Sequence, residues 1–237
     1  MASATLTSRR IVTLRSVARK AAACGLTGGV LSMSVIGTAS ALTWQPLSVW
    51  HMDETSGTTM KDSAGTSPGT LHNVAVNQPG RVGRSYKLNG SSSYISVSNS
   101  ARLNPGSRNV RISINLKTTE TPNSGDWSLI RKGYAASGTG QQFKVEWQPG
   151  GQVSCGVAGS NRRTELTSSG ARLDNGAWHK VQCIKTSTYV QLLVDGRSFR
   201  RDINIGSISN SSPVVIGAYP GKEFFEGYLD EAKIEVG

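Results

Sequence analysis

Eight segments of this chain place apolar and polar residues at alternate positions, and turns rich in small residues separate them. They are LSVWHM (Leu47 to Met52), SYISV (Ser93 to Val97), VRISINLKT (Val110 to Thr118), FKVEW (Phe143 to Trp147), WHKVQCIKT (Trp178 to Thr186), YVQLLV (Tyr189 to Val194), PVVIGA (Pro213 to Ala218) and YLDEAKIEV (Tyr228 to Val236). A period of two sends successive side chains to opposite faces of a strand, so each segment reads as a half-buried β-strand. NGSSS, NPGS, QPGG, DNGA and DGRS carry turn chemistry between them. No long stretch repeats at 3.6 residues, and the only helix expected is a short one near Ala101 to Leu103. Many short strands with regular turns predict an all-β fold, a two-sheet antiparallel jelly-roll sandwich. Its core should draw on Trp50, Leu88, Ile95, Val97, Ile112, Ile114, Val145, Val153, Trp178, Val181, Ile184, Leu192, Val194, Ile216, Ile234 and Val236.

The first 41 of the 237 residues read differently. Arg9, Arg10, Arg15, Arg19 and Lys20 form a basic stretch without an acid. Ala21 to Gly37 is apolar and small, and ASA (Ala39 to Ala41) suits a signal peptidase. The expectation is a secretory leader cleaved after Ala41, leaving one domain over 42–237 and an extracellular location. The apolar run is short for a membrane span, so no membrane insertion of the mature form is expected. Cys24 opens that run, whereas a lipid-accepting cysteine should follow it. The whole chain has 26 basic and 15 acidic residues. Removing the five basic residues of the leader leaves 21 against 15, a net charge of +6. That mild excess does not argue for nucleic acid, although an anionic polysaccharide or cell wall could exploit it. Cleavage also leaves only Cys155 and Cys183. Two cysteines in an exported protein usually pair; the alternative is two buried thiols.

Five motifs, taken in order, resemble a known family. VWHMDETSGTTMKDSAG, YKLNGSSSYISV, LDNGAWHKVQCIK, VQLLVDG and FFEGYLDEAKIEV are similar to the laminin-G-like, concanavalin A-like jelly-roll domains of secreted bacterial proteins, over about Leu47 to Val236. The resemblance implies two antiparallel sheets with the first and last strands side by side. It implies a disulfide between Cys155 and Cys183 on adjacent strands. It often implies bound calcium, and in many members a carbohydrate partner. Calcium takes oxygen ligands from carboxylates, carbonyls and water. Asp53, Glu54, Asp62 and Asp230 stand where the resemblance places such ligands, with Gly57 and Gly65 free to turn backbone carbonyls inward. The competing reading is that these acids cap turns and that Glu231 and Glu235 face solvent.

Catalytic patterns are missing. The Glu-x-Asp-x-x-Glu strand of the similar β-glucanases is absent, and DEAKIE (Asp230 to Glu235) has another spacing. The Gln-Ile-His strand of jelly-roll alginate lyases is absent too. GTSPG (Gly65 to Gly69) fits Gly-x-Ser-x-Gly but lies in a loop rather than at a strand-to-helix turn. His51, His72 and His179 form no triad pattern, although Asp126 and Glu146 could converge in space as an acid pair. Ligand-binding candidates are the aromatics Trp127, Tyr134, Trp147, Tyr219 and Phe224, with Arg131 and also Asp126, Arg162 and Arg163 nearby. Arg162, Arg163, Arg200 and Arg201 could form a basic face. The expected function is a secreted, non-catalytic, lectin-like carbohydrate-binding module with a structural calcium. The alternative is a protein-interaction or structural module, and the third choice is a polysaccharide-acting enzyme.

Overall fold

The structure is a computed structural model describing residues 42–134 and 140–237. The expected leader, its cleavage point after Ala41 and Cys24 lie outside the described residues. Among the described residues sixteen strands, numbered in chain order, form two antiparallel sheets. One contains β1 (Gln45–Trp50), β4 (Ala75–Pro79), β5 (Arg84–Asn89), β7 (Val110–Lys117), β12 (His179–Lys185), β13 (Tyr189–Val194), β14 (Arg197–Asp202) and β16 (Glu226–Val236). Its order is β14-β13-β12-β7-β16-β5-β4, with β1 also paired to β16. The other contains β2 (Thr59–Met60), β3 (Gly69–His72), β6 (Tyr94–Val97), β8 (Trp127–Lys132), β9 (Gln142–Gln148), β10 (Gln152–Ala158), β11 (Arg163–Thr167) and β15 (Val214–Ile216), in the order β11-β10-β9-β8-β15-β6-β3-β2. Ala101–Leu103 is a single 3-10 turn, capped by the Ser100 side chain accepting from Arg102 N–H at 3.3 Å. Among the described residues no helix is long and apolar enough to cross a membrane.

Alternation explains the layers. On β9, Phe143, Val145 and Trp147 face the core, while Gln142, Lys144 and Glu146 face outward. On β7, Ile112, Ile114 and Leu116 go inward and Arg111, Ser113 and Asn115 outward. The two inner faces meet in one apolar cluster that joins Trp50, Leu88, Ile95, Val153, Leu192 and Ile216. Two expected core residues are not in it. Trp178 is half-buried, outside the core, and packs edge-on against Tyr228 at 6.4 Å. Ile184 is buried but lies on the outer face of its sheet, because Val181 and Cys183 take the inward phase of β12. The error is one of register: shifting a period-two pattern by one residue exchanges the faces.

The first and last strands are neighbours, as expected. Trp50 on β1 pairs with Ala232 on β16. The Cys155–Cys183 disulfide is present, with Cα atoms 5.4 Å apart and both residues fully buried. It does not link adjacent strands. Cys155 is on β10 and Cys183 on β12, so the bond crosses the core and ties one sheet to the other.

Polar groups buried at the rim of the core hold the loops. Lys132 is fully buried, and its ammonium donates to Asn99 Oδ1, Asn210 O, Asn210 Oδ1 and Ser212 O at 2.9–3.0 Å. Burial lowers its pKa to about 8. Gly217 sits where the chain leaves β15 with φ +84°, and a Cβ there would lie 2.0 Å from Leu88 Cδ2. Both the backbone angle and the space require glycine.

Candidate functional site

The acids at the two ends of the chain do come to one region, but each has its own task. Asp62 is a loop anchor. Its Oδ1 accepts the backbone N–H groups of Val49 (2.9 Å), Ala64 (3.1 Å) and Gly65 (3.1 Å), and its Oδ2 accepts that of Ser67 (3.1 Å). Gly65 makes room for that carboxylate, since a Cβ there would stand 2.7 Å from Asp62 Oδ2. Gly57 is an open turn with φ +87°. Glu54 is also committed: Oε1 accepts Lys61 N–H at 2.8 Å and Oε2 accepts the Tyr86 hydroxyl. Turn-capping therefore accounts for Asp62 and Glu54.

Asp53 and Asp230 differ. A bulge in β16 interrupts its pairing with β7 between Asp230 and Lys233, with Glu231 at φ +53°. Asp230 is fully buried there. Its Oδ2 accepts the N–H groups of Arg81 (2.9 Å) and Val82 (3.0 Å), while its buried Oδ1 has no partner among the described residues. Burial pushes its carboxyl up against the pull of the two amides, and the charges of Glu231 and Asp53 add to the rise. Asp53 Oδ1 accepts Arg84 N–H at 2.6 Å. An orphaned buried carboxylate oxygen that feels the charges of Glu231 and of the exposed Asp53 suits a hard cation. The residues that fit calcium are thus Asp230 and Asp53 rather than the full set of four. Glu231 and Glu235 are not merely solvated. Glu231 meets His51 (2.5 Å) and Lys233 (2.6 Å), and Glu235 takes both Nε and a terminal nitrogen of Arg111 at 2.7 Å.

Among the described residues a further cluster of charge lies on the outer face of the second sheet. Asp126, Glu146 and Glu223 bring carboxylate oxygens within 4.8 Å of one another. Asp126 just precedes β8, Glu146 is on β9, and Glu223 lies in the turn before β16 at φ +55°. Three cations interleave with them. Lys144 Nζ is 2.5 Å from Glu146, Arg131 is 3.4 Å from Glu223 and 4.0 Å from Glu146, and Lys222 is 3.3 Å from Glu223. Carboxylates so neutralised suit hydrogen bonding to a polar ligand better than holding a dication. Glu146 is 1% exposed, and burial raises its pKa to about 7 despite the Lys144 ammonium beside it. Burial also opposes the charge on Lys144, but Glu146 and Glu165 outweigh it, so the Lys144 pKa rises.

Arg131 forms the floor. It is 5% exposed, and its guanidinium lies over the rings of Tyr219 at 4.2 Å and Tyr134 at 5.3 Å. The two tyrosines meet edge-on at 5.1 Å. One terminal nitrogen donates to Ser128 Oγ at 3.2 Å, whereas Nε is buried with no partner among the described residues. Above lies a cleft of about 200 Å³, lined by Asp126, Arg131, Gln142, Lys144, Glu146, Tyr219, Lys222 and Glu223.

Of the residues proposed from sequence for a ligand, the structure gathers Arg131, Tyr134 and Tyr219, and it joins Asp126 to Glu146. Trp147 is not with them; it is fully buried in the core, its Nε1 donating to Glu120 O at 2.9 Å. Trp127 opens β8 rather than lying in a loop, and it pairs with Trp147 and packs edge-on against Phe225. Phe224 is half-buried beside the fully buried Phe225 and does not line the cleft. Arg162 and Arg163 are exposed where β11 begins. Arg200 and Arg201 diverge, Arg200 over the Tyr189 ring and Arg201 to Thr164 Oγ1 at 2.7 Å, so the four arginines make no single face. The histidines are accounted for structurally. His72 ends β3 stacked on Tyr94, and His179 bonds Asp195 and Asn175. GTSPG runs into β3, where Ser67 O accepts Trp50 Nε1. Sequence reasoning missed Lys144 and Glu223. The alternation Phe143-Lys144-Val145-Glu146 carried the signal for Lys144; Glu223 had none.

Comparison with known proteins fits this architecture. A family model described as the concanavalin A-like lectin/glucanases superfamily, Laminin_G_3, matches residues 88–235. Among solved structures, the binding domain of Paraclostridial Mosquitocidal Protein 1 superposes with TM-score 0.64 at 15% identity, over 80% of this chain and 48% of that one. Domain 4 of AbnA, a GH43 extracellular arabinanase from Geobacillus stearothermophilus solved with arabinotriose, gives TM-score 0.57 at 15% identity, over 82% and 93%. The binding domain of botulinum neurotoxin DC in complex with SialylT gives 0.59 at 10% identity, over 80% and 47%. The chain thus spans about half the length of the toxin domains and nearly all of the arabinanase domain, and at such identities the likeness is one of fold. No curated protein matches in sequence. The chain belongs to the laminin-G-like family of the concanavalin A-like lectin/glucanase superfamily.

Proposed function

We propose that the protein is a secreted, non-catalytic carbohydrate-binding module that takes its glycan in the cleft over Arg131. The observation that carries this reading is the buried guanidinium itself. It is fixed against Tyr219 and Tyr134 and lies among carboxylates and ammonium groups that already hold one another in place. Sugar hydroxyls both donate and accept, and such an array offers them acceptors and donors with little ordering left to do. The half-buried tyrosine rings hold the cations of the cleft in place, Arg131 against both and Lys222 against Tyr219. The arabinotriose of the arabinanase domain is in keeping with a binding role on this fold. Calcium at Asp53 and Asp230 belongs to the same proposal as a structural staple under the Arg81–Val82 turn, remote in role from the cleft.

The test is retention on a panel of insoluble polysaccharides, with reducing ends assayed in each supernatant. The parent protein should be retained on at least one polysaccharide without releasing sugar. Tyr219→Ala and Lys144→Gln should lose about tenfold in affinity while keeping the parent circular dichroism. Equal retention by both variants would refute the cleft. Release of reducing ends that disappears in Glu146→Gln would replace binding by hydrolysis, with Asp126 and Glu146 as the acid pair.

A further inference from the structure

The outer face of the first sheet carries a second surface, independent of the cleft. Strands β5, β16, β7 and β12 lie side by side there, and their register sets the rows. Tyr228 on β16 pairs with Lys87 on β5 and Lys117 on β7. Asn115 on β7 pairs with Lys180 on β12. Ser113 lies between Lys233 on β16 and Gln182 on β12. A groove of about 340 Å³ follows the Ser113 and Asn115 rows, with Arg81 and Lys180 beside the amides and the paired Arg111, Glu235, Glu231 and Lys233 along the rest; Lys87, Lys117 and Tyr228 lie outside it on the same face.

Charge on this face is lopsided. Glu235 is spent on Arg111 and Glu231 on Lys233 and His51. Arg81, Lys87, Lys117 and Lys180 have no carboxylate within 4.0 Å among the described residues. Arg81 reaches only Asn115 Oδ1, at 3.5 Å, and Lys87 and Lys117 flank the Tyr228 ring at 5.7 and 5.5 Å. Two of these cations, Arg81 and Lys180, border the groove with its hydroxyl and amide groups, and the other two, Lys87 and Lys117, extend the same face beside Tyr228, so the sheet carries a track for a linear polyanion.

We propose that this face binds an acidic polysaccharide, a glycan chain bearing carboxylates on its sugars. The cations match the carboxylates, and Ser113, Asn115 and Gln182 match the sugar hydroxyls between them. Single-stranded nucleic acid fits less well, because it needs free aromatic faces for its bases. Here the Tyr228 ring is taken by two lysines, and Trp178 meets it only edge-on. The proposal does not rest on the cleft.

The experiment is a titration of the protein with polygalacturonate, its fully methyl-esterified form, inorganic polyphosphate and a single-stranded oligonucleotide, at about 50 and about 300 mM salt. The variant is Lys87→Gln/Lys117→Gln/Lys180→Gln, three side chains without carboxylate partners whose loss should leave the fold unchanged. Polygalacturonate should bind, weaken with salt, and lose about tenfold or more in the triple variant. The esterified polymer should not bind at this face, and Tyr219→Ala should bind polygalacturonate as the parent does. Absence of polygalacturonate binding, or equal binding by the triple variant, overturns the proposal. Tighter binding of polyphosphate or oligonucleotide than of polygalacturonate also overturns it, in favour of a phosphate polymer.

Discussion

Replacing both bridged cysteines, Cys155→Ala/Cys183→Ala, tests how the two sheets are held together. The bridged residues are 28 apart in sequence. Closing a loop of that size removes roughly 12 cal/mol/K from the unfolded chain, or about 3.5 kcal/mol at 25 °C. Both residues are fully buried in the cluster between the sheets, so trimming two sulfurs should cost about 1 kcal/mol more in packing. The expected loss is therefore about 4–5 kcal/mol. With a urea m-value of about 3 kcal/mol/M, the midpoint should fall by roughly 1.5 M. The mechanism predicts a second signature. Freed of its cross-link, the unfolded chain expands, so the m-value should rise in the variant. Urea titrations of the oxidised parent and the variant, followed by tryptophan fluorescence, read both quantities. A loss under about 1 kcal/mol with an unchanged m-value would refute the loop-closure argument.

Three further outcomes follow from the geometry. The raised pKa of Glu146, about 7, means that the folded state holds this proton more tightly than the unfolded chain does between roughly pH 4.5 and 7. Its contribution to stability is therefore present below that window and lost as pH rises through it, by up to about 3 kcal/mol. Stability curves of parent and Glu146→Gln should accordingly diverge across this window and run parallel above it, and parallel curves throughout would remove the effect. Calcium should raise the thermal midpoint of the parent but not of Asp230→Asn or Asp53→Asn, read by scanning calorimetry with and without chelator. Asp62→Ala should lose about 2–4 kcal/mol, because four backbone N–H groups lose their acceptor, and should still respond to calcium as the parent does.

Much of the fold was legible because alternation is a local property. Tyr189–Val194 is a strand from end to end, as its pattern predicts, and the last segment is β16. Strands with weaker alternation, such as β14 (RSFRRD) and β4 (AVNQP), left no readable signal, because edge strands need not bury an apolar face. Trp147 illustrates the same division. Its phase on β9 sends it inward with Phe143 and Val145, so an aromatic that looked available for a sugar became core. Trp178 went the other way for the same reason.

Sequence alone determined the strongly alternating strands, the turns between them, the family and the presence of acids at both ends of the chain, since these depend on residue type and short spacing. Tertiary structure decided which atoms those residues use. The Asp62 carboxylate is filled by its own loop, Asp230 is left with an orphaned oxygen, and Cys155 reaches across the core instead of to a neighbouring strand. Arg131 and Glu223, 92 positions apart, meet only because the turn before β16 folds back over β8 and β9. Such contacts are set by which strands pair and by the way a turn folds over them, and no local pattern in the chain encodes either.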